Sequence, residues 1–297
     1  MPLFSPRFHP GHRVQLLQGA QELFPALVRA MDAARTSVLL ETYIFDTTGA
    51  GADIARALAR AAARGVRTQL VVDGVGTGRL PAHWFAHLRS AGVQVRVYAP
   101  LGPLGLLLPG QWRRLHRKLC VVDGTVLFCG GINILDDFHD PNFGALSAPR
   151  FDFAVRTEGA LVAQAQATME QLWWRLQAVH DARHYHLPQA VQALREAGVG
   201  LHMGMGQRTR SRTRAHSAHG LGMRAALLLR DNLRHRSRIE RAYRRAIAMA
   251  REDIIIANAY FLPGGKLRRA LVLAAQRGVR VRLLLQGRYE YFMPHHA

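Results

Sequence analysis

Two stretches of this chain repeat one plan, strand then helix then strand, and that repeat constrains the fold more than any other feature. Ser37-Val-Leu-Leu-Glu-Thr-Tyr-Ile44 and Arg67-Thr-Gln-Leu-Val-Val-Asp73 read as strands around an alanine-rich amphipathic helix, Ala52–Arg64. The plan returns with Ile254-Ile-Ile-Ala-Asn-Ala-Tyr-Phe261, a helix over Gly265–Arg277, and Gly278-Val-Arg-Val-Arg-Leu-Leu-Leu285. Alternation alone would prove little, since every α/β chain alternates. Here the wording agrees as well: Ala63-Arg64-Gly65-Val66-Arg67 matches Gln276-Arg277-Gly278-Val279-Arg280, Tyr43 aligns with Tyr260, and Glu41 with Asn258. A helix also precedes each unit, over Ala20–Ala34 and Arg236–Arg251. Duplication is the better reading.

The first copy continues through Gln94–Tyr98, a hairpin around Asp123-Gly124, a strand at Phe151–Thr157 and a helix from about Ala160 to Val179. The second stops at Ala297. Between them, Gly198–Gly222 is rich in glycine, arginine and histidine without apolar periodicity, and reads as a basic flexible linker. The expected organisation is a first lobe over 1–197, a linker over 198–222 and a second, incomplete lobe over 223–297.

A formal charge of +20 draws such a chain to polyanions, either nucleic acid or an anionic membrane surface, and composition does not choose between them. No run of about 18 apolar residues is present, as a transmembrane helix would require. The start, Met1-Pro2-Leu3-Phe4-Ser5-Pro6-Arg7, lacks the apolar core of a secretory signal, so a cytoplasmic location is expected. If Asp123-Gly124 is a two-residue turn, Lys118 pairs with Cys129 and Cys120 with Leu127. The two thiols then face opposite sides and stay free.

The only lysines are Lys118 and Lys266, and one of them sits two residues after His116. On an extended segment, residues i and i+2 share a face. An imidazole and an ammonium side by side suit a phosphodiester, the lysine offsetting oxyanion charge while the histidine attacks or transfers a proton. Asp123 follows at a fixed spacing. Gly130-Gly131 would let backbone N–H groups approach a phosphate, and Asn133 adds an amide donor. Chance would place His-x-Lys-x(4)-Asp in about one chain in 250 of this composition, before the glycines and Asn133 are required.

His116–Asn133 resembles the signature of the phospholipase D superfamily. The flanks resemble its cardiolipin synthases without N-terminal transmembrane helices, the ClsB-like group. They are Val14-Gln-Leu-Leu17, Leu40-Glu-Thr-Tyr-Ile-Phe45, Asp73-Gly-Val-Gly76, Arg114-Leu-His-Arg-Lys118, Cys129-Gly-Gly-Ile-Asn133, Arg230-Asp-Asn232 and Ile256-Ala-Asn-Ala-Tyr260. The resemblance implies a two-lobed α/β fold, with a mixed sheet flanked by helices in each lobe and one histidine motif per lobe. It implies a phosphatidyl group carried on one histidine while the other protonates the leaving alcohol, with no metal or other cofactor. By that carry-over His116, Lys118 and Asp123 are catalytic, and Lys118, Gly130, Gly131 and Asn133 hold phosphate. Glu41 borders the site, and Asn258 is its counterpart in the second lobe. The implied activity is transfer between phosphatidylglycerol molecules to make cardiolipin, peripherally on the bacterial inner membrane. Anionic phospholipid and the membrane surface are then the partners, ahead of nucleic acid, with a homo-oligomer left open.

The departure from the family pattern is the second motif. At the 213-residue offset between Gly65 and Gly278 it would fall near position 329, outside the 297 residues. The chain is therefore expected to be a truncated copy of a two-motif enzyme. The alternatives are a phosphodiesterase or nuclease of the same superfamily and a lipid-binding remnant without turnover. Among lesser signals, Tyr98–Gly110 reads as an interfacial loop with Trp112, Arg113 and Arg114 at headgroup level. Gly74-Val-Gly-Thr-Gly78 reads as a strand-end turn, not a nucleotide loop, and His180, His184 and His186 as surface residues, not metal ligands.

Overall fold

The structure is a computed structural model, and it describes residues 6–100, 114–140, 144–183, 189, 191–198, 222–229, 237–259 and 261–286. The chain divides into His9–Ala225 and a second unit made of Met1–Phe8 with Ala226–Ala297.

The larger unit is built on a mixed sheet of eight strands. In chain order its elements are β1 (His9–Gln18), α1 (Gly19–Ala33), β2 (Ser37–Thr42), α2 (Gly51–Ala63), β3 (Arg67–Asp73), α3 (Ala82–Ser90), β4 (Gln94–Tyr98), β5 (Leu119–Val122) and β6 (Val126–Gly130). There follow a short ribbon of β7 (His139–Asp140) with β8 (Gly144–Ala145), then β9 (Phe153–Glu158), α4 (Leu161–Arg183), α5 (191–198) and β10 (Met223–Ala225). The strand order is β10-β1-β9-β6-β5-β2-β3-β4. β2, β3 and β4 are parallel because a helix carries the chain back between them, and the remaining pairs are antiparallel.

Alternation along the strands assigns the two faces. Val38, Leu40, Leu70, Val72, Cys120 and Phe128 face α1 and α2, where Leu27, Met31, Ile54 and Leu58 are fully buried. Each such side chain contributes roughly 1.5–3 kcal/mol by leaving water. On the opposite face Val71 and Leu115 pack on Trp173 of α4. β2 is buried along its whole length, the polar Ser37, Glu41 and Thr42 included.

The smaller unit contains α6 (Arg238–Met249), β11 (Asp253–Asn258), α7 (Gly265–Gln276) and β12 (Arg280–Leu285), around Ile247, Leu271, Ala274 and Val279. It repeats the plan of α1-β2-α2-β3 down to single interactions. Arg64 donates from Nη2 to Met31 O (2.8 Å) at the end of the preceding helix, and Arg277 donates from Nη2 to Ile247 O (3.1 Å). Gly65 and Gly278 end the middle helices at φ 83° and 87°, a left-handed position that suits glycine. Within each unit the flanking strands pair in parallel.

Three expectations change. Ladder register equates Ser37, opposite Arg67, with Asp253, opposite Arg280, so Glu41 corresponds to Ala257 and not to Asn258. A one-residue slip of this kind exchanges the two faces of a strand, and matching on the tyrosines hid it. β10 pairs with β1, so Met223–Ala225 belong to the first unit and the division falls after Ala225. In the hairpin, Thr125 N donates to Val122 O (3.0 Å) around Asp123 and Gly124, both at positive φ, but the ladder then skips Thr125 as a bulge. Cys120 therefore pairs with Phe128 and Cys129 with Leu119. The thiols still face opposite sides, and both are free.

Candidate active site

Because β2, β3 and β4 run parallel, their C-terminal ends share one edge, the usual position for a ligand in an α/β sheet. The residues leaving those ends, Tyr43, Asp73 and Tyr98, meet the segment Arg114–Lys118 that leads into β5. The histidine and lysine precede the strand proper, yet they keep its alternation. The His116 ring stacks on Tyr43 at 4.3 Å between centroids and 17° between planes, and Lys118 Nζ lies 5.4 Å from the centre of the same ring. One aromatic ring thus gathers the two groups that the spacing predicts to be neighbours.

Backbone economy fixes that ring. A Cβ on Gly76 would come within 2.6 Å of Tyr43 Cε2, so only glycine lets the turn after β3 pass so close. Thr77 Oγ1 donates to Tyr43 O (2.9 Å) and accepts from Phe45 N (3.1 Å). Asp73, fully buried, holds both sides of the site. Its Oδ1 accepts from Val75 N (2.8 Å) and Gly76 N (3.1 Å), and its Oδ2 from Leu115 N (2.7 Å), beside Arg114.

The charges follow from burial. Burial lowers the His116 pKa, Lys118 lowers it further, Asp73 opposes the change and Arg114 adds to it. The lowered pKa favours the neutral imidazole, the form that can attack phosphorus. Burial also pulls the Lys118 ammonium below its ordinary value, against Asp152 and Asp73. Asp152 is itself pushed up by burial, despite a hydrogen bond from Phe153 N (2.7 Å) and the nearby Lys118.

The residues picked from sequence divide into groups. His116 and Lys118 come together as expected. Asn133 accepts from Ile44 N at Oδ1 (3.1 Å), which ties it to the residue after Tyr43. Gly130 and Gly131 are glycines for a different reason from the one expected. Gly130 N donates to Lys118 O (3.3 Å) and Gly131 N to Phe153 O (3.0 Å), so neither N–H is free for phosphate. A Cβ on Gly130 would meet Ala154 Cα at 2.5 Å, and one on Gly131 would collide with the Asp152 carboxylate. They let β6 close on β9 and bring Asp152 towards Lys118.

Asp123 lies at the far end of β5 from His116. Its carboxylate accepts from Arg35 N (2.9 Å), Thr36 N (2.8 Å), Thr36 Oγ1 (2.9 Å) and Ser37 N (2.9 Å). Burial opposes its ionisation, yet these bonds, led by that from Ser37, hold its pKa low. It ties the hairpin to the start of β2 and supports loop geometry, without touching the histidine. Glu41 is buried on the α4 side with its Oε2 3.4 Å from Arg117 Nε, and burial pushes it up to about 7 while Arg117 pulls it down. Asn258 is exposed in the other unit.

Asp152, Asp73, Tyr43 and Arg117 are the site residues that sequence reasoning passed over. The available signal was an acidic or aromatic residue at the C-terminal end of each parallel strand. Among the described residues no group of three or more His, Cys, Asp or Glu could hold a metal ion, and no helix is long and apolar enough to cross a membrane. Residues 101–113, 199–221 and 230–236, with His184 and His186, lie outside the described residues. They carry the expected interfacial loop, most of the linker and Arg230-Asp-Asn232.

Comparison with known proteins identifies the family. Residues 27–173 match the family described as cardiolipin synthase, PLD-like domain. The chain is 33% identical over 286 residues to cardiolipin synthase B of Escherichia coli K12, covering 93% of this chain and 60% of that protein. It is 28% identical over 287 residues to cardiolipin synthase A of Pseudomonas syringae, covering 96% of this chain and 53% of that protein. The chain thus spans little more than half the length of these relatives. The solved phosphatidylserine synthase of Haemophilus influenzae shares its fold, with a TM-score of 0.58 and 11% identity over 95% of this chain and 64% of that one. By these matches the chain belongs to the phospholipase D superfamily, in its cardiolipin synthase branch.

Proposed function

We propose that this chain carries the phosphatidyl-accepting half of a cardiolipin-synthase-type transferase, with His116 as the nucleophile. The observation that carries the reading is the seating of the His116 imidazole and the Lys118 ammonium on one aromatic ring, Tyr43, at the C-terminal edge of the sheet. An imidazole nitrogen of His116 attacks the phosphorus of phosphatidylglycerol, a P–N bond forms, and the P–O bond to the glycerol headgroup breaks. The glycerol oxygen leaves with a proton, which in this family a second histidine supplies. Lys118 and the Asn133 amide face the charge that develops on the phosphoryl oxygens. Asp152 and Asp73 favour the charged form of Lys118. A hydroxyl of a second phosphatidylglycerol then attacks the phosphorus, its proton returning to the group that protonated the leaving glycerol; the P–N bond breaks, and cardiolipin forms as His116 is regenerated.

The substrate sits in an anionic bilayer, and the charge of +20 supports adsorption to that surface. The test is cardiolipin formation from phosphatidylglycerol vesicles by the purified protein. Loss of at least about 10³-fold in His116→Ala is expected, and turnover equal to wild type would overturn the assignment.

A further inference from the structure

The segment that presents His116 and Lys118 has a second side. Its odd-numbered residues point away from Tyr43: Leu115 packs with Val71 and Trp173, and Arg117 follows on the same side. Beside Arg117 lies Glu41, 1% exposed, with 3.4 Å separating Oε2 from Nε. Neither Glu41 oxygen accepts a hydrogen bond, and Arg117 Nη1 is also buried without one. The register neighbours of Glu41, Leu119 and Val71, are apolar. On α4, which packs on this face, Trp173 meets Val71 and Glu170 is turned to Arg67. Arg117 is therefore the charge that acts on Glu41.

A carboxylate buried this way is costly, and the strand–helix–strand unit does not need one. In the second copy the same register position is Ala257. What differs in the first copy is the neighbour. β5 runs along β2, and the His116–Lys118 segment enters from its open end, before the ladder between β5 and β2 begins at Leu119. Its path is set by anchors: Asp73 on Leu115 N, Gly130 N on Lys118 O, Leu115 in its apolar pocket, and Arg117 on Glu41.

We propose that Glu41 is a positioning residue for the phosphoryl chemistry: by holding Arg117 behind the segment, it fixes the rotation that turns His116 and Lys118 towards the phosphodiester. This rests on the reading of His116 and Lys118 as the reacting pair. Small displacements of such groups are expensive, about 10²-fold in rate for 1 Å.

The experiment compares wild type, Glu41→Gln, Arg117→Met and the double variant in the full chain, with folding followed by circular dichroism. Two readouts are used: kcat and KM on phosphatidylglycerol vesicles, and the His116 ring resonances by NMR with and without inorganic phosphate. Each single variant is expected to lose about tenfold in kcat with KM within about twofold, and the double no more than the worse single, because one link is broken. Glu41→Gln should melt no lower than wild type at pH 8, which a purely structural role would not allow. The His116 resonances should move alike in all three variants. Unchanged kcat and resonances in Glu41→Gln, or losses that multiply in the double variant, would overturn the proposal. If the wild type shows no turnover, the functional reading fails by itself. The resonances then decide the coupling: moved by Glu41→Gln it stands, unmoved it falls.

Discussion

Replacing Glu41 by glutamine should stabilise the larger unit at high pH and not at low pH. The carboxyl is raised from 4.5 to about 7, chiefly by burial. Below about pH 4.5 it is protonated in both folded and unfolded chains and contributes no pH dependence. As pH rises from there the unfolded chain releases its proton while the folded chain keeps it, so stability falls. Above pH 7 the whole penalty is in place. At 1.36 kcal/mol per pKa unit it is about 3 kcal/mol. Glutamine keeps the shape and cannot ionise, so the variant's stability relative to wild type should climb by about that amount between pH 4.5 and 8. Loss of the Arg117 pairing offsets little, since that side chain is one-third exposed. Urea titrations at pH 4.5, 6 and 8, followed by tryptophan fluorescence, measure this, because Trp84, Trp173 and Trp174 all belong to that unit. A stability difference that stays flat with pH, or one that turns against the variant as pH rises, would refute the reasoning.

Other substitutions test the framework. Asp123→Ala removes the acceptor of four hydrogen bonds and should cost about 2 kcal/mol in urea titrations at pH 7. Because the Asp123 pKa is held low, its contribution should be fully present above the ordinary aspartate range and be lost as pH falls below that range through the lowered folded value. Gly131→Ala drives a methyl into the Asp152 carboxylate and should lower kcat by about tenfold while the fold persists by circular dichroism. Trp173→Ala opens the apolar pocket behind Leu115 and should cost about 3–5 kcal/mol in the same titrations.

The strand–helix–strand units were legible because each is local: 3.6-residue and two-residue periodicities lie within some 40 residues, and the Arg-Gly-Val-Arg phrase marks the turn that joins them. The N-terminal strand was not. His9-Pro-Gly-His-Arg-Val-Gln-Leu-Leu-Gln18 holds proline and glycine, shows no clean alternation, and finds its partner β9 far along the chain. The site shows the same division. His116, Lys118 and Asn133 sit in one contiguous motif, whereas Asp73 and Asp152 reach Lys118 only through sheet pairing. The glycine pair was assigned to phosphate because sequence shows where backbone is bare, without showing what fills the space. There β9 and Asp152 fill it. The Glu41 register failed for a related reason: Tyr43 and Tyr260 differ by one residue in their distance from the end of the strand, which leaves the letters matched while exchanging faces.

The measurement closest to the central claim is a covalent one. The protein is mixed with phosphatidylglycerol vesicles, quenched in alkali to preserve phosphoramidate bonds, and mapped by mass spectrometry. The account predicts a phosphatidyl adduct on His116 that is absent from His116→Asn and weakened in Lys118→Met. An adduct on another residue, or turnover that persists in His116→Asn, would contradict it.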